Sequence, residues 1–439
     1  MNKAKRLSVA VLAFVLMVTL AACGGKSEST SGSEGSGNAK DSEETVELSL
    51  WTDWAKDDPY SMQYFERMEQ FKAAYPNIKI KMEFIPYGEY NVKLQTQAAG
   101  GQLPDMMQLI IGGTFLEPIA RAGLLMPIDD IVGEWKDKKI PAGLLKEFAV
   151  DGKQYAIPAE VNYTSMIFYN KKLLAELGYN EFPKTYSDLL ALIKAANDKK
   201  ITPISLGNKT TMVVPASYLS VITNRIAGGD FNEQVVAKTK KLTDPEFVSS
   251  LNIIKELADK KAFNPDANNI DNNQATDRFV AGQSVMYIDG SWAIKPIIAS
   301  KSSDFELGFA FFPSIDGGKG DPMSLPAGTN QGIGLNAKLD GKKKEAAQTF
   351  VKFMYGDELF QSLLKGGALV TGNVDLPSDL DPDFQEMIKL TKQVTSISSS
   401  FDGVMPKDVG TTIDTGLQGL ILGSVAPEKL AADGQKLLP

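Results

Sequence analysis

The sequence predicts an α/β protein built from more than one lobe. Strand and helix patterns alternate along residues 45–111, which is typical of parallel strands joined by crossover helices. The chain has 439 residues with 43% hydrophobic content, enough for two or more lobes with cores of their own. Its only cysteine is Cys23, so the folded body has no disulfide and depends on its core for stability.

The first elements are predicted from the spacing of apolar residues. Val46, Leu48 and Leu50 alternate with other residues, which predicts a strand, and Phe65 and Phe71 have helical spacing. In chain order the predicted elements are a strand over 45–50, a helix over 60–74, a strand over 78–84, a helix over 89–99 and a strand over 105–111. This order predicts a parallel sheet.

The same alternation continues through the rest of the chain. Thr185 with Asp188 predicts a capped helix start, and Thr243 with Glu246 and Pro245 predicts another. In chain order these further elements are helices over 185–196 and 243–260, strands over 284–288 and 306–312, and helices over 343–365 and 428–438.

The N-terminal residues predict export and a lipid tether. A basic start, an apolar run over 7–20 and small residues before Cys23 follow the order of a secretory signal peptide. The sequence LAAC that ends at Cys23 resembles the lipobox of bacterial lipoproteins, which implies removal of residues 1–22 and acylation of Cys23. Small and polar residues dominate 23–44 and predict a flexible leash. We therefore expect a lipid anchor in the cell membrane, with the folded body on the extracytoplasmic face.

Composition excludes several kinds of chemistry and partner. The chain contains no histidine, which excludes a Ser-His-Asp triad, a Cys-His dyad and a His-ligated zinc site. A carboxylate pair or a Ser-Lys arrangement stays possible. The formal net charge of −8 becomes −11 once Lys3, Lys5 and Arg6 leave with the signal peptide, which argues against nucleic acid as a partner. The acidic run over 379–383 lacks the glycine and glutamate of a calcium loop and predicts a solvated loop.

Three loops are the places to look for a binding site. Open α/β sheets bind ligands at loops beyond the carboxyl ends of their strands. The loops over 51–54, 111–114 and 289–292 each follow a predicted strand. We therefore expect the site residues to come from these loops.

Six sequence blocks between residues 46 and 438 carry a family resemblance. They are GQLPD at 101–105, AGLLMPID at 122–129, DGKQYAIP at 151–158, FYNK at 168–171, FPKTY at 182–186, and the segment 279–292, which ends in GSW. In this order, behind a lipobox, the blocks resemble the extracellular solute-binding proteins that serve ABC importers of sugars.

The resemblance implies a type II periplasmic-binding-protein fold, in which two hinge-linked lobes enclose a ligand cleft. The N-terminal lobe is expected over residues 45–159 and 312–370, and the C-terminal lobe over 160–311 and 371–439. The chain is expected to cross between them near Ala159, Phe311 and Val370. A mono- or oligosaccharide would close the lobes, and the permease subunits of an ABC importer would then receive it. The resemblance implies a monomer that has no cofactor, no metal and no catalytic activity.

The first candidate site residues follow from the chemistry of sugars. The apolar face of a pyranose packs on an aromatic ring, and its hydroxyls need fixed donors and acceptors. Trp292 matches the family in position and is expected to be the stacking platform. Trp51 and Trp54 flank Asp53, and one of the two rings is expected to be structural. Glu160 matches by its order a ligand-contacting glutamate of the family.

Further candidates lie close to these positions. Asn162 or Tyr163 is the alternative to Glu160, because the spacing to the next block is longer here than in the family. Asp289 is interpreted either as a ligand acceptor or as a cap on the segment after it. The remaining candidates are Gln108, Gly112 and Gly113 after the third strand, and Gly328, Thr329 and Asn330 in a Gly-rich loop expected to present backbone amides.

Two other functions remain open from the sequence. The same fold can bind a polyamine or another small polar solute, and the acidic composition suits a cationic ligand. A lipoprotein glycosidase with a carboxylate pair is the other, because carboxylates alone suffice for that chemistry.

Overall fold

The computed structural model describes residues 44–55, 61–110, 116–133, 140, 142–329 and 331–438. The predicted signal peptide, Cys23 and the predicted leash up to residue 43 lie outside the described residues. The strands are β1 (Val46–Thr52), β2 (Ile78–Phe84), β3 (Met106–Ile110), β4 (Leu125–Met126), β5 (Ala149–Val150), β6 (Lys153–Gln154), β7 (Val161–Tyr163), β8 (Met166–Asn170), β9 (Thr202–Ser205), β10 (Ser284–Asp289), β11 (Leu307–Phe311), β12 (Ser324–Thr329), β13 (Gln331–Asn336) and β14 (Ser396–Ser398).

Helices separate most of these strands along the chain. They are α1 (Met62–Ala74), α2 (Tyr87–Ala99), α3 (Leu116–Arg121), α4 (Asp129–Gly133), α5 (Ala142–Leu145), α6 (Lys171–Glu176), α7 (Tyr186–Asp198), α8 (Ser220–Ala227), α9 (Phe231–Val236), α10 (Pro245–Asp259), α11 (Asn272–Val280), α12 (Ile294–Ser300), α13 (Gly341–Met354), α14 (Asp357–Lys365), α15 (Pro382–Thr391), α16 (Phe401–Val404), α17 (Lys407–Ile421) and α18 (Pro427–Gln435). Short 3-10 turns cover Lys146–Phe148 and Ser291–Ala293, and a π-helix covers Val214–Leu219.

The first sheet has five strands in the order β2-β1-β3-β13-β4. As the sequence predicts, β1 is parallel to β2 and β3, whereas β13 is antiparallel to β3. Leu48 and Leu50 of β1 pack in one apolar cluster with Phe71 of α1 and Phe350 of α13. Because parallel strands end at the same edge of a sheet, the residues after Thr52 lie at the edge where ligands are expected.

The second sheet has four strands in the order β11-β8-β10-β9. Every residue of β10 is buried, because this central strand is covered by helices on both faces. Ile288 packs in the cluster that contains Phe247 of α10 and Ile413 of α17, and Tyr287 packs in the cluster that contains Phe279 of α11. The buried strand ends at Asp289, directly before the Gly-Ser-Trp block. The α/β class is confirmed.

A small third sheet, in the order β14-β12-β7, connects the other two. β12 is antiparallel to β7, and Glu160, just before β7, pairs with Val370. The loop after β11 stays beside the second sheet, because Arg225 of α8 donates hydrogen bonds to the carbonyls of Phe312, at 3.1 Å, and Pro322, at 2.8 Å. The chain therefore returns to the first sheet through β12, which lies after Phe311.

Two helix predictions differ from the structure. The predicted helix over 343–365 is two helices, because the chain turns at Gly356, whose extended backbone (φ −82°, ψ 171°) precedes α14. The residue before α10 is Asp244 rather than Thr243. Pro245 is the first residue of that helix, and a residue before proline is held in the extended region.

Candidate functional site

One small cavity brings together residues from β7, from the helices α1, α12 and α14, and from the segments beside them. Its volume is about 120 Å³. The polar and aromatic side chains that line it are Gln63, Glu160, Asn162, Ser291, Trp292 and Lys295. The cavity thus combines three of the predicted site residues with three that the sequence did not indicate.

The alternation of β7 decides which of its side chains reach this cavity. Successive side chains of a strand point to opposite faces. Glu160 and Asn162 lie on the face that lines the cavity, whereas Val161 and Tyr163 lie on the other face and pack in an apolar cluster. Tyr163 therefore faces away from the cavity that Glu160 lines, and its contact with a ligand stays a prediction. Tyr163 instead lines two larger cavities of about 450 and 690 Å³ on that other face.

Glu160 is held in place by a buried tyrosine. The Tyr64 hydroxyl donates a hydrogen bond of 2.7 Å to Glu160 Oε1, and the carboxylate side chain is buried. Burial and the negative charge of Glu160 raise the pKa of Tyr64 well above its usual value. Tyr64 therefore remains a proton donor to Glu160 at every physiological pH.

The two tryptophans of the first loop take different positions, and neither ring lines the cavity. Trp54 is 2% exposed and stacks on the Tyr64 ring, with centroids 4.5 Å apart. Trp51 lies near the cluster that contains Leu94 of α2, beneath the Lys93 ammonium, which is 4.5 Å from the ring centroid. Trp54 supports Glu160 through Tyr64, and its burial contradicts direct stacking on a ligand.

Trp292 has the exposure that a stacking platform needs. Its side chain is 36% exposed and lines the cavity, although it follows a fully buried strand. The ring lies over Gly290, where a Cβ atom would be 2.2 Å from Trp292 Cη2. Only glycine therefore allows the indole to take this position.

Asp289 lies behind Trp292 rather than at the cavity surface. It is 1% exposed and accepts hydrogen bonds from Asn272 Nδ2 at 2.7 Å, Tyr287 Oη at 2.7 Å and the Gly290 amide at 2.8 Å. Burial raises the pKa of this carboxyl, although the hydrogen bonds, including one from the Trp292 side chain, oppose that rise. These neighbours engage both of its oxygens, and a direct ligand contact stays a prediction.

Gln108 also has a supporting position. It is 1% exposed; its Oε1 accepts a hydrogen bond of 2.9 Å from the Asp53 amide, and its Nε2 donates to Gln331. Both ends of the Gln108 amide therefore have partners within the protein, and its contact with a ligand stays a prediction. Asp53 itself is half-buried at the carboxyl end of β1, where Gln108 fixes its backbone.

The predicted Gly-rich loop at 328–330 is a strand in its described part. Gly328 and Thr329 belong to β12 and pair with Asn162 and Val161. The Thr329 amide and hydroxyl both donate to Glu147 Oε2, so this amide does not point to a ligand. The predicted site residues Gly112, Gly113 and Asn330 lie outside the described residues.

Three cavity residues, Gln63, Ser291 and Lys295, escaped the sequence analysis. Gln63 stands at the start of α1, and Lys295 lies in α12 one turn after Trp292. Gly366 and Gly367 leave room for them, because a Cβ on Gly366 would lie 2.5 Å from Gln63 Nε2 and one on Gly367 would touch Lys295 at 3.4 Å. The Gly-Gly pair was the available signal, since adjacent glycines often mark a close approach.

The acidic segment near residue 380 has a structural explanation. Asp381 caps α15, while Asp379 pairs with Lys365 at 2.9 Å and Asp383 pairs with Lys301 at 3.0 Å. Within the described ranges, no group of three or more metal-ligating side chains exists. In those same ranges, none of the helices combines the length and apolar character that a membrane span requires.

The fold is of the α/β class, and one cavity places an exposed aromatic ring beside a carboxylate and an amide. Residues 52–359 match the family of bacterial extracellular solute-binding proteins, and the chain belongs to that family. This confirms the family that the sequence blocks indicate.

Relatives and solved structures agree with this membership. The diacetylchitobiose binding protein DasA of Streptomyces coelicolor is 25% identical over 373 residues, which cover 83% of this chain and 81% of that protein. A maltotriose-binding protein of Pyrococcus abyssi is 26% identical over 76% of this chain and 68% of its own length. The structure of a chitin oligosaccharide binding protein has a TM-score of 0.76 and 27% identity, covering 90% of this chain and 98% of that one.

Proposed function

We propose that this protein captures a mono- or oligosaccharide as the substrate-binding subunit of an ABC importer. The observation that carries the proposal is the exposed Trp292 ring in one cavity with Glu160 and Asn162. The known ligands of relatives support it, because diacetylchitobiose, maltotriose and chitin oligosaccharides are all carbohydrates.

The three side chains meet the chemical needs of a sugar. The apolar face of a pyranose can pack on the indole, while a carboxylate and an amide offer acceptors and donors to its hydroxyls. Hydrogen bonds from a hydroxyl to a carboxylate are the stronger kind. The cavity holds Lys295 as well as Glu160, so its lining is not acidic overall and favours a neutral ligand over a polyamine.

Closure of two lobes would couple capture to delivery. We infer lobes that meet at β7, β12 and the segment near Val370, with a hinge motion around the ligand. The ligand would favour the closed form because only that form contacts it from both sides. The permease subunits would then recognise the closed form.

The tether belongs to the same proposal. Acylated Cys23, followed by a leash to residue 44, would keep the binding protein near its importer and raise its effective concentration there. Cys23→Ser should move the protein from the membrane fraction to the soluble fraction of cells. A variant that stays fully membrane-bound would contradict the lipid anchor.

Titration of the purified protein against a sugar panel tests the binding function. Diacetylchitobiose, maltotriose, xylobiose, raffinose and galactose are suitable probes, with calorimetry and tryptophan fluorescence as readouts. We expect saturable binding of at least one sugar, and intact sugar after long incubation with equimolar protein. Trp292→Ala should remove most of the affinity, whereas Leu422→Ala, which changes a 69% exposed side chain outside the cavity, should not.

A polyamine titration separates the alternative ligand class. Spermidine binding that weakens steeply with salt, together with no response to any sugar by the folded protein, would overturn the carbohydrate proposal. Release of sugar products by the protein would instead favour the glycosidase alternative.

A further inference from the structure

A buried carboxylate directly behind the exposed indole has no contact with the cavity. Asp289 ends β10, all of whose residues are buried, and it is itself 1% exposed. Removing a carboxylate from water is costly unless hydrogen bonds compensate for the lost hydration. A carboxylate at a position of this kind is therefore expected to have a structural role that an apolar side chain could not fill.

The partners of Asp289 are neutral donors, and one of them is the Trp292 side chain. One carboxylate oxygen accepts from Asn272 Nδ2 and from Tyr287 Oη, both at 2.7 Å. The other oxygen accepts from the Gly290 amide at 2.8 Å. Both carboxylate oxygens therefore act as hydrogen-bond acceptors. Among side chains of this size, only an ionised carboxylate has two acceptor oxygens and no donor.

The Gly290 amide connects the carboxylate to the backbone beneath the indole, in addition to the hydrogen bond from the Trp292 side chain itself. Gly290 precedes the 3-10 turn Ser291–Ala293, and the Trp292 ring lies so close over it that a Cβ would be 2.2–2.4 Å from three ring carbons. The position of the ring therefore depends on the position of the Gly290 backbone. Asp289 fixes that backbone through its hydrogen bond to the Gly290 amide.

We propose that Asp289 is a positioning residue, whose carboxylate holds the Gly290 backbone and the Trp292 ring over it so that the outer face of the indole stays toward the cavity. The consequence for ligand affinity rests on the function proposed above. The positioning itself does not, because it is a property of the protein without ligand.

The amide analogue is the sharpest change that tests this role. Asp289→Asn keeps the shape of the side chain but replaces one acceptor oxygen by the donor Nδ2. In one orientation of the amide Nδ2 faces the Gly290 amide, and in the other it faces the donors of Asn272 and Tyr287. In either orientation at least one hydrogen bond to residue 289 must break. Because a buried donor without a partner costs free energy, a shift of the turn Ser291–Ala293 becomes favourable. The matched control is Asp266→Asn, because Asp266 also accepts from an asparagine and lies away from the cavity, where it pairs with Arg278 at 2.8 Å.

Fluorine NMR of the 5-fluorotryptophan-labelled full chain measures the ring directly. The chain has four tryptophans, and Trp292→Phe assigns the resonance of residue 292. We expect Asp289→Asn to shift or split that resonance while the other three stay in place, and Asp266→Asn to leave all four unchanged. An unchanged Trp292 resonance in folded Asp289→Asn would overturn the proposal.

Tyr287→Phe keeps the inference testable if Asp289→Asn does not fold. It removes one donor to the carboxylate and leaves the stacked ring in place, so the Trp292 resonance should move less but in the same direction. No movement would again overturn the proposal. For the tightest sugar of the panel, Asp289→Asn should lose about tenfold in affinity. If no sugar binds, the proposed function fails while the fluorine spectra still decide the role of Asp289.

Discussion

The Tyr64 hydroxyl and the Glu160 carboxylate are joined by a buried hydrogen bond of 2.7 Å. The Trp54 ring stacks on the Tyr64 ring. The bond connects α1, beside the first sheet, to the residue that leads into β7. It fixes the orientation of the Glu160 carboxylate at the cavity.

Removal of the Tyr64 hydroxyl should weaken ligand binding as well as the fold. Tyr64→Phe leaves the ring stack but deprives Glu160 of a donor, which should cost about 1.5–3 kcal/mol of folding free energy for a bond to a charged group. We expect a parallel loss of sugar affinity by calorimetry. Tyr186→Phe removes the same type of bond, which joins Tyr186 of α7 to Glu256 of α10 at 3.0 Å, and should lower stability alone. Equal affinity in both variants would contradict the role of Tyr64.

The exposed indole should contribute to binding far more than to stability. Trp292→Ala loses a ring that is 36% exposed in the free protein. Covering such a ring with an apolar sugar face is worth roughly 1.5–3 kcal/mol, or about 10- to 100-fold in affinity. Chemical denaturation should show a much smaller change. A loss in stability that equals the loss in affinity would mean that the ring is part of the core.

A methyl group on Gly290 should displace the same ring without deleting it. In Gly290→Ala the new Cβ would overlap Trp292 ring carbons at 2.2–2.4 Å, so the indole must leave its place over the backbone. We expect weaker sugar binding and a changed fluorescence spectrum. Gly410→Ala, in α17, meets no atom within 4 Å and should bind normally, with slightly raised stability because alanine favours helix. Wild-type affinity in Gly290→Ala would contradict the stacking position.

Stability should depend on pH through Asp414 of α17. Burial, and secondly the charge of Asp402, raise the pKa of Asp414 to about 7. The native state therefore binds this proton more tightly than the unfolded state, whose carboxyl has a pKa of about 3.9. Its stabilising effect is complete below that value and is lost as pH rises through about 7. Melting curves from pH 4 to 8 should show a smaller decline for Asp414→Asn than for the wild type. Asp408→Asn, exposed on the same helix, serves as the control, and identical declines would contradict the shift.

The sequence predicted those strands and helices correctly whose local apolar spacing agrees with the tertiary structure. The strand at β1 and the crossover helices were predictable because apolar spacing reports the faces that must be buried. The single predicted helix over 343–365 was wrong because the backbone is extended at Gly356, a break that apolar spacing does not reveal. Asp244 likewise replaces Thr243 as the residue that precedes α10.

For the site, residue type was predictable and position was not. The sequence identified Glu160, Asn162 and Trp292, which the structure places in one cavity. It could not distinguish them from Asp289 and Gln108, which accept hydrogen bonds from backbone amides. The residue type alone does not show whether a carboxylate or an amide faces a cavity or a buried backbone amide.

The sequence by itself determined the family, the α/β class and the expectation of an exported sugar receptor, because motifs and apolar periodicity are local properties. Only the tertiary structure decided which side chains face the cavity. The pairing of β7 with β12 sends Asn162 to one face and Tyr163 to the other, and the Trp292 ring lies over the Gly290 backbone. Such choices depend on contacts between residues far apart in the chain, which a single sequence does not specify.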